Sequence, residues 1–287
     1  MKLFKLTFAA AILLSCISAK AQELVIRIDD MGAFHSVNNA SIDVYHNGIA
    51  QSVEVLAVGA WFPEAVKMLK ETPGLDVGVH LAITSDGENV KWRPLTTCPS
   101  LVDENGYFYP MMGPNHAYPG QSVMENMANF DINEIEKEFR AQIELALKNI
   151  PQISHISGHM FSTAFNPEVI ALVQKLSEEY NLPSVDRAEA FKVYNFGYIG
   201  FEGPKATFEE KVESFIKALD KMEKGKRYMF VEHPAYNDSE MQTVMHVGYE
   251  DVAVDRQGVT DFLKSPVVRK AIEERGIKLI NIKTLTK

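Results

Sequence analysis

The sequence predicts an α/β fold, a single-domain distorted β/α barrel of about seven parallel strands with a long insertion after the third strand. Three observations predict it. Short apolar runs alternate with helical patterns of about 10–15 residues, and strands joined by such crossovers pair in parallel. The 287 residues suit an α/β barrel, which commonly uses about 250 as one unit. The composition, 46% hydrophobic and 23% charged, is that of a globular chain with a core of its own. It excludes a disordered or collagen-like chain, and two cysteines are too few for a disulfide framework.

In order, Leu24-Val25-Ile26-Arg27-Ile28 reads as a buried strand that stops at two acids and a glycine. A helix over 37–45, a strand over 52–58, a helix over 63–70 and a strand over 75–83 continue the alternation. Residues 84–130 break it with Gly, Pro and aromatic residues, and a hairpin is expected around Asn105-Gly106. An irregular segment of that length is usually functional, so a lid or substrate-binding insertion is expected. Its aromatics Trp92, Tyr107 and Tyr109 are candidate sugar-contacting residues. Helix starts then announce themselves. Asp131 with Glu134 and Thr207 with Glu210 have capping-box spacing, while Asn166-Pro167 and Ser265-Pro266 place a cap before proline at the first helical position. Helices follow over 132–148, 167–180, 208–224 and 266–275, with strands near 153–157, 183–185, 228–231 and 278–282.

Residues 1–21 read as a signal peptide and 22–287 as the barrel domain. Lys2 and Lys5 precede an apolar run from Leu6 to Ile17, and Ala19-Lys20-Ala21 supplies a small-residue cleavage site. The run is too short to span a bilayer. Leu13-Leu14-Ser15-Cys16 also resembles a lipobox, so a membrane enters only if Cys16 is lipidated. Either way the chain is expected to be exported, periplasmic or secreted. Cleavage removes three lysines and no acid from a chain already at −9, so the mature surface is acidic and lacks the basic footprint of a nucleic-acid binder. Cys98 reads as a small buried hydrophobe. A homodimer is expected only from the frequency of such oligomers.

Barrel chemistry sits at the C-terminal ends of strands. Four predicted ends carry Asp29-Asp30, His80, His155 with His159, and Glu232-His233-Pro234. Carboxylates and imidazoles gathered there are costly to bury without a cation or hydrogen-bond partners. One Asp and two His would supply the protein ligands of a divalent ion, zinc or magnesium, leaving an Asp and a His for general base and acid. Adjacent Asp side chains point to opposite faces of a strand, so both reach one cavity only through a turn, for which Gly32 is suited. His35, His46, His116 and His246 lack partners of ligand type at useful spacing, though His35, just beyond the Asp pair, could reach the cavity rim. Arg187 is a lone candidate cation for substrate.

These motifs resemble the YdjC-like carbohydrate deacetylases, the family that includes chitooligosaccharide deacetylase. Arg27-Ile28-Asp29-Asp30-Met31-Gly32 is similar to its Asp-Asp-Phe-Gly signature, and Gly78-Val79-His80-Leu81-Ala82-Ile83-Thr84 to its Gly-Leu-His-Leu-x-Leu-Thr stretch. Ser100-Leu101-Val102-Asp103-Glu104-Asn105-Gly106 is similar to its Ser-Leu-Val-Asp-x-x-Gly segment. His155-Ile156-Ser157-Gly158-His159 resembles its His-x-Asp-x-His, and Glu232-His233-Pro234 its His-Pro-Gly. The resemblance implies a metal-dependent hydrolase that removes N-acetyl groups from amino sugars or oligosaccharides. It implies that Asp30, His80 and His159 hold the metal, Asp29 is the base and His233 the acid, with His155 supporting His159 or the cation from behind. Ser157 departs from the family's Asp, and Met160-Phe161-Ser162 from a stretch richer in histidine. Two alternatives stand beside this expectation: a catalytically inactive secreted carbohydrate-binding relative, and a metal-dependent phosphoesterase or amidohydrolase.

Overall fold

The computed structural model describes residues 21–86, 89–186 and 188–287. Residues 1–20, which hold Cys16 and all but the last residue of the expected signal peptide, and Arg187 lie outside the described residues. The chain runs β1 (Glu23–Met31), α1 (His35–His46), β2 (Ser52–Val55), α2 (Phe62–Glu71) and β3 (Asp76–Leu81) before the insertion. It continues as α3 (Ile132–Asn149), β4 (Ile153–Gly158), α4 (Pro167–Tyr180), α5 (Ala188–Val193), β5 (Phe196–Tyr198), α6 (Phe208–Asp220) and β6 (Arg227–Glu232). It ends as α7 (Val252–Lys264), α8 (Pro266–Glu274), β7 (Lys278–Ile280) and α9 (Ile282–Leu285). Seven parallel strands form one curled, half-barrel sheet in the order β4-β3-β2-β1-β6-β5, with β7 also pairing β1.

The helix starts follow the side chains that cap them. Asn166 accepts from Glu168 N, Ser265 from Val267 N, and Thr207 closes a full capping box with Glu210. Asp131 caps α3, but Glu134 turns away from the box to take Ser100 N at 2.8 Å and Ser100 Oγ at 2.6 Å. That exchange ties the insertion to the body. Helix α6 stops at Asp220, short of the expected 224, and the strand expected at 183–185 is reduced to one bridge, Ile156 with Ser184. Helix α7 escapes the sequence reading because Gly258 interrupts it, and a Cβ there would lie 3.1 Å from Lys211 Cε.

Along β1, Leu24, Ile26 and Ile28 face outward into a cluster with Val44 of α1, Leu69 of α2 and Phe262 of α7. Val25, Arg27 and Asp29 alternate with them onto the inner face. At the N-terminal end of the curl, Val25, Met229 and Ile280 pack with Ile282 and Leu285 of α9. Toward the C-terminal ends the inner face turns polar while remaining buried: Arg27, Glu54, His80, His155 and Ser157 are all at most 4% exposed. The insertion packs on β3 and α3 through Trp92, Phe108, Met112 and Val123. Its predicted hairpin is present, with Val102 bridging Phe108 around Gly106, whose φ of +77° requires the left-handed region.

Candidate metal centre and cavity

Strand β1 presents two consecutive carboxylates to one cavity because Asp30 itself has φ 74°, at a register slip between Ile28 and Met31 against β2. Gly32, at φ +98°, continues the turn, and a Cβ there would lie 2.8 Å from Leu56 O. His80 stands near the end of β3, and His159 follows β4 directly. Ligand atoms of Asp30, His80 and His159 all lie within 4.8 Å of one another. His159 Nδ1 is 3.2 Å from Asp30 Oδ1, and His80 Nε2 is 3.7 Å from the same oxygen.

Asp30 Oδ1 and His159 Nε2 are buried with no hydrogen-bond partner among the described residues. Buried polar atoms are rarely left so, and a carboxylate with two imidazoles is a donor set that suits a divalent cation. The two aspartates differ in this respect. Arg27 grips both Asp29 oxygens, with Nε to Oδ1 at 2.7 Å and Nη2 to Oδ2 at 2.6 Å, while its Nη1 donates to Asp186 Oδ1 at 2.7 Å. Asp30 Oδ2 accepts from Arg256 Nη2 of α7 at 3.3 Å, and its Oδ1 stays open.

The charges explain the ionisation. Burial pushes the Asp30 carboxyl up, but His233, His159 and Arg256 outweigh it and hold the group well below the usual carboxylate range. Burial also opposes the Asp29 anion, and the Arg27 guanidinium, aided by His80, overrides it, so Asp29 too is lowered. His80 is pushed down by burial, with Asp29 resisting. For His159, burial pulls down but Asp30 pulls up and wins.

Asp29, Asp30, His80, His159 and His233 line one cavity of about 810 Å³. His233 follows β6, its side chain 42% exposed, with Nε2 3.9 Å from Asp30 Oδ2. His155 does not line the cavity. It lies beneath it, with Nε2 2.5 Å from Glu54 Oε1, so it supports Glu54 rather than His159. The candidate aromatics of the insertion are also placed elsewhere. Trp92 is buried behind His159, ring centroids 5.4 Å apart. Tyr107 stacks under Arg93 at 4.2 Å, and Tyr109 packs into the body. The insertion buries Trp92, Phe108 and Tyr118 and half-buries Tyr107 and Tyr109, and its Asp86 lines the cavity.

The aromatic wall comes instead from Phe161, Phe191 and Tyr198. Met160 and Phe161 have φ of 47° and 63°, and this strained pair leaves Phe161 77% exposed beside His159. Sequence reasoning missed Phe161, Arg27, Glu54, Asp186 and Arg256. For Arg27 and Glu54 a signal existed, since each is a lone charge within a buried strand and needs a partner there.

Comparison with known proteins gives a family and a fold. The profile of the YdjC-like protein family matches residues 23–274. A carbohydrate deacetylase of Enterococcus faecalis is 28% identical over 275 residues, covering 92% of this chain and 98% of the relative. A carbohydrate deacetylase of Geobacillus stearothermophilus is 27% identical over 267 residues, covering 92% and 98%. The crystal structure of a proposed cellobiose-phosphate cleavage protein of Enterococcus faecalis V583 superposes with a TM-score of 0.73 at 24% identity, covering 93% of this chain and 100% of that one. That likeness supports the fold.

Proposed function

Since the chain belongs to the YdjC-like protein family, we propose that it is a metal-dependent hydrolase removing an N-acetyl group from an amino sugar or oligosaccharide. One observation carries this reading: Asp30, His80 and His159 converge with open ligand atoms, and Asp29 and His233 share their cavity. The relatives named as carbohydrate deacetylases supply the substrate class. Asp30, His80 and His159 would hold the ion, which when bound supplies Lewis-acid polarisation of the acetyl carbonyl and an acidified water. Asp29 is the general base: it is ionised at neutral pH, and the Arg27 fork fixes its carboxylate so that it accepts the water's proton without reorienting. His233, at the accessible side of the cavity, protonates the departing amine. Phe161, Phe191 and Tyr198 offer apolar faces to a pyranose ring. Arg27 is engaged by Asp29 and Asp186, and the relatives are named as carbohydrate deacetylases, so the phosphoesterase alternative is not favoured.

The test is acetate release from a panel of N-acetylated mono- and oligosaccharides by the zinc-loaded chain, beside Asp30→Asn. Release by the wild type and none by the variant, with zinc lost from it, is expected. No release from any sugar by zinc-loaded wild type would overturn the reading. We further propose export, supported by Lys2, Lys5 and the apolar run to Ile17. The mass of the cell-derived chain should correspond to a start at Gln22, and a chain beginning at Met1 would refute it.

A further inference from the structure

His80 Nε2 faces Asp29 and Asp30, and for that nitrogen to hold the proposed metal, Nδ1 would have to carry the ring hydrogen. The parallel register shows what enforces this. Glu54, Gly78 and His155 lie side by side on β2, β3 and β4, and His80 pairs with Ser157 two residues farther along. Adjacent strands are about 4.8 Å apart, so β2 and β4 are too distant for ordinary cross-strand contact. Gly78 removes the intervening side chain, and Glu54 Oε1 meets His155 Nε2 at 2.5 Å across the gap. A Cβ at Gly78 would lie 2.2 Å from Glu54 Oε2 and 2.3 Å from His155 Nε2. The space is fully used by this bridge.

The other Glu54 oxygen, Oε2, accepts a hydrogen bond from Ser157 Oγ. Ser157 Oγ also lies 2.7 Å from His80 Nδ1. A serine hydroxyl has one hydrogen. Because a carboxylate only accepts, that hydrogen is spent on Glu54, and Ser157 can only accept from His80. The Nδ1 of His80 is therefore the donor, and its Nε2, 3.7 Å from both Asp29 Oδ2 and Asp30 Oδ1, presents a lone pair to the metal centre.

We propose that Glu54, acting through Ser157, is a positioning residue that fixes the tautomer and orientation of His80 for metal binding. Glu54, Ser157 and His155 are all fully buried, and His155 anchors the far side of the carboxylate through its own contact with Ser154 Oγ at 2.8 Å. The proposal rests on the reading that Asp30, His80 and His159 hold a metal, and its test separates the two.

The experiment records nitrogen-15 NMR of the His80 ring in the metal-free full chain and zinc affinity by calorimetry, for the wild type, Glu54→Gln, Ser157→Ala, Ser157→Asp and the double variant Glu54→Gln/Ser157→Asp. The wild type should show the Nδ1–H tautomer. Ser157→Ala should lose that preference, and Ser157→Ala and Glu54→Gln should each bind zinc about 10–100-fold more weakly. Ser157→Asp alone should also weaken zinc, because two carboxylates then abut. In the Glu54→Gln background the same change should restore affinity, since the introduced carboxylate reaches His80 directly. That reversal of sign is not expected of residues that merely fill space. Wild-type zinc affinity and an unchanged His80 tautomer in Ser157→Ala and Glu54→Gln would overturn the proposal. If the wild type binds no zinc, the metal reading fails while the tautomer comparison still decides the role of Glu54 and Ser157 in orienting His80.

Discussion

The two faces of the same sheet solve burial in opposite ways. On the outer face Ile26, Ile28, Val53 and Val77 pack against helices, and their cohesion is non-directional. On the inner face, one residue away along each strand, Arg27, Asp29, Glu54, His80 and His155 are just as buried and are held by directed bonds. An apolar contact survives a small shift of its neighbour, whereas a buried ion or imidazole left without its partner bears its full desolvation cost. The inner face therefore fixes atoms in space, and that is where the cavity lies.

The sharpest way to break the contrast is at the reacting end of the inner face. Asp29→Asn should reduce turnover about 10²–10⁴-fold, the usual range for a positioned base, while zinc content by elemental analysis stays at wild type. Full activity in that variant would remove Asp29 from the mechanism. Arg27→Met should act on stability as well, because Asp29, Asp186 and Glu54 would lose their shared cation. Loss of one partner of a buried pair costs about 3–5 kcal/mol, readable from urea unfolding. On the outer face, Ile26→Val should cost about 0.5–1.5 kcal/mol and leave zinc affinity unchanged. A large change in affinity there would show the two faces to be coupled.

The smallest effect is expected away from the sheet. Asp255 of α7 accepts from Lys211 Nζ at 2.5 Å and from Tyr249 OH at 2.6 Å. Burial pushes its carboxyl up, but these two bonds pull harder and the group is lowered. Its folded-state value lies below its unfolded one. Its contribution to stability is thus present above the unfolded value, about 3.9, and fades as pH falls through the folded one. Asp255→Asn should lower the melting temperature slightly at neutral pH and flatten its decline below about pH 4. An unchanged acid limb would mean that the pair contributes nothing.

Much of this architecture is legible in the sequence because it rests on local rules. The helix starts at Asn166, Thr207 and Ser265 follow from which side chains can accept an orphan backbone N–H, and the span of α4 follows from one cap and one period. The cavity acids and imidazoles are legible because they interrupt apolar runs at strand ends. The placement of the aromatics is not, since Trp92 of the insertion and Phe161 after β4 differ in surroundings rather than in type. Trp92 is covered by the insertion's fold, and Phe161 is turned outward by two left-handed residues that no propensity favours.

The sequence by itself determined the parallel α/β alternation, the strand ends that bear Asp29, Asp30, His80, His159 and His233, and the capped helices α3, α4, α6 and α8. Periodicity and capping act over a few residues, and the chain carries them wherever it goes. Only the tertiary structure decided which aspartate keeps an open oxygen, that Glu54 meets His155 over Gly78, and that Ser157 stands between Glu54 and His80. Those contacts join strands that are distant in sequence, and their partners are chosen by register and curl, which exist only once the sheet has formed.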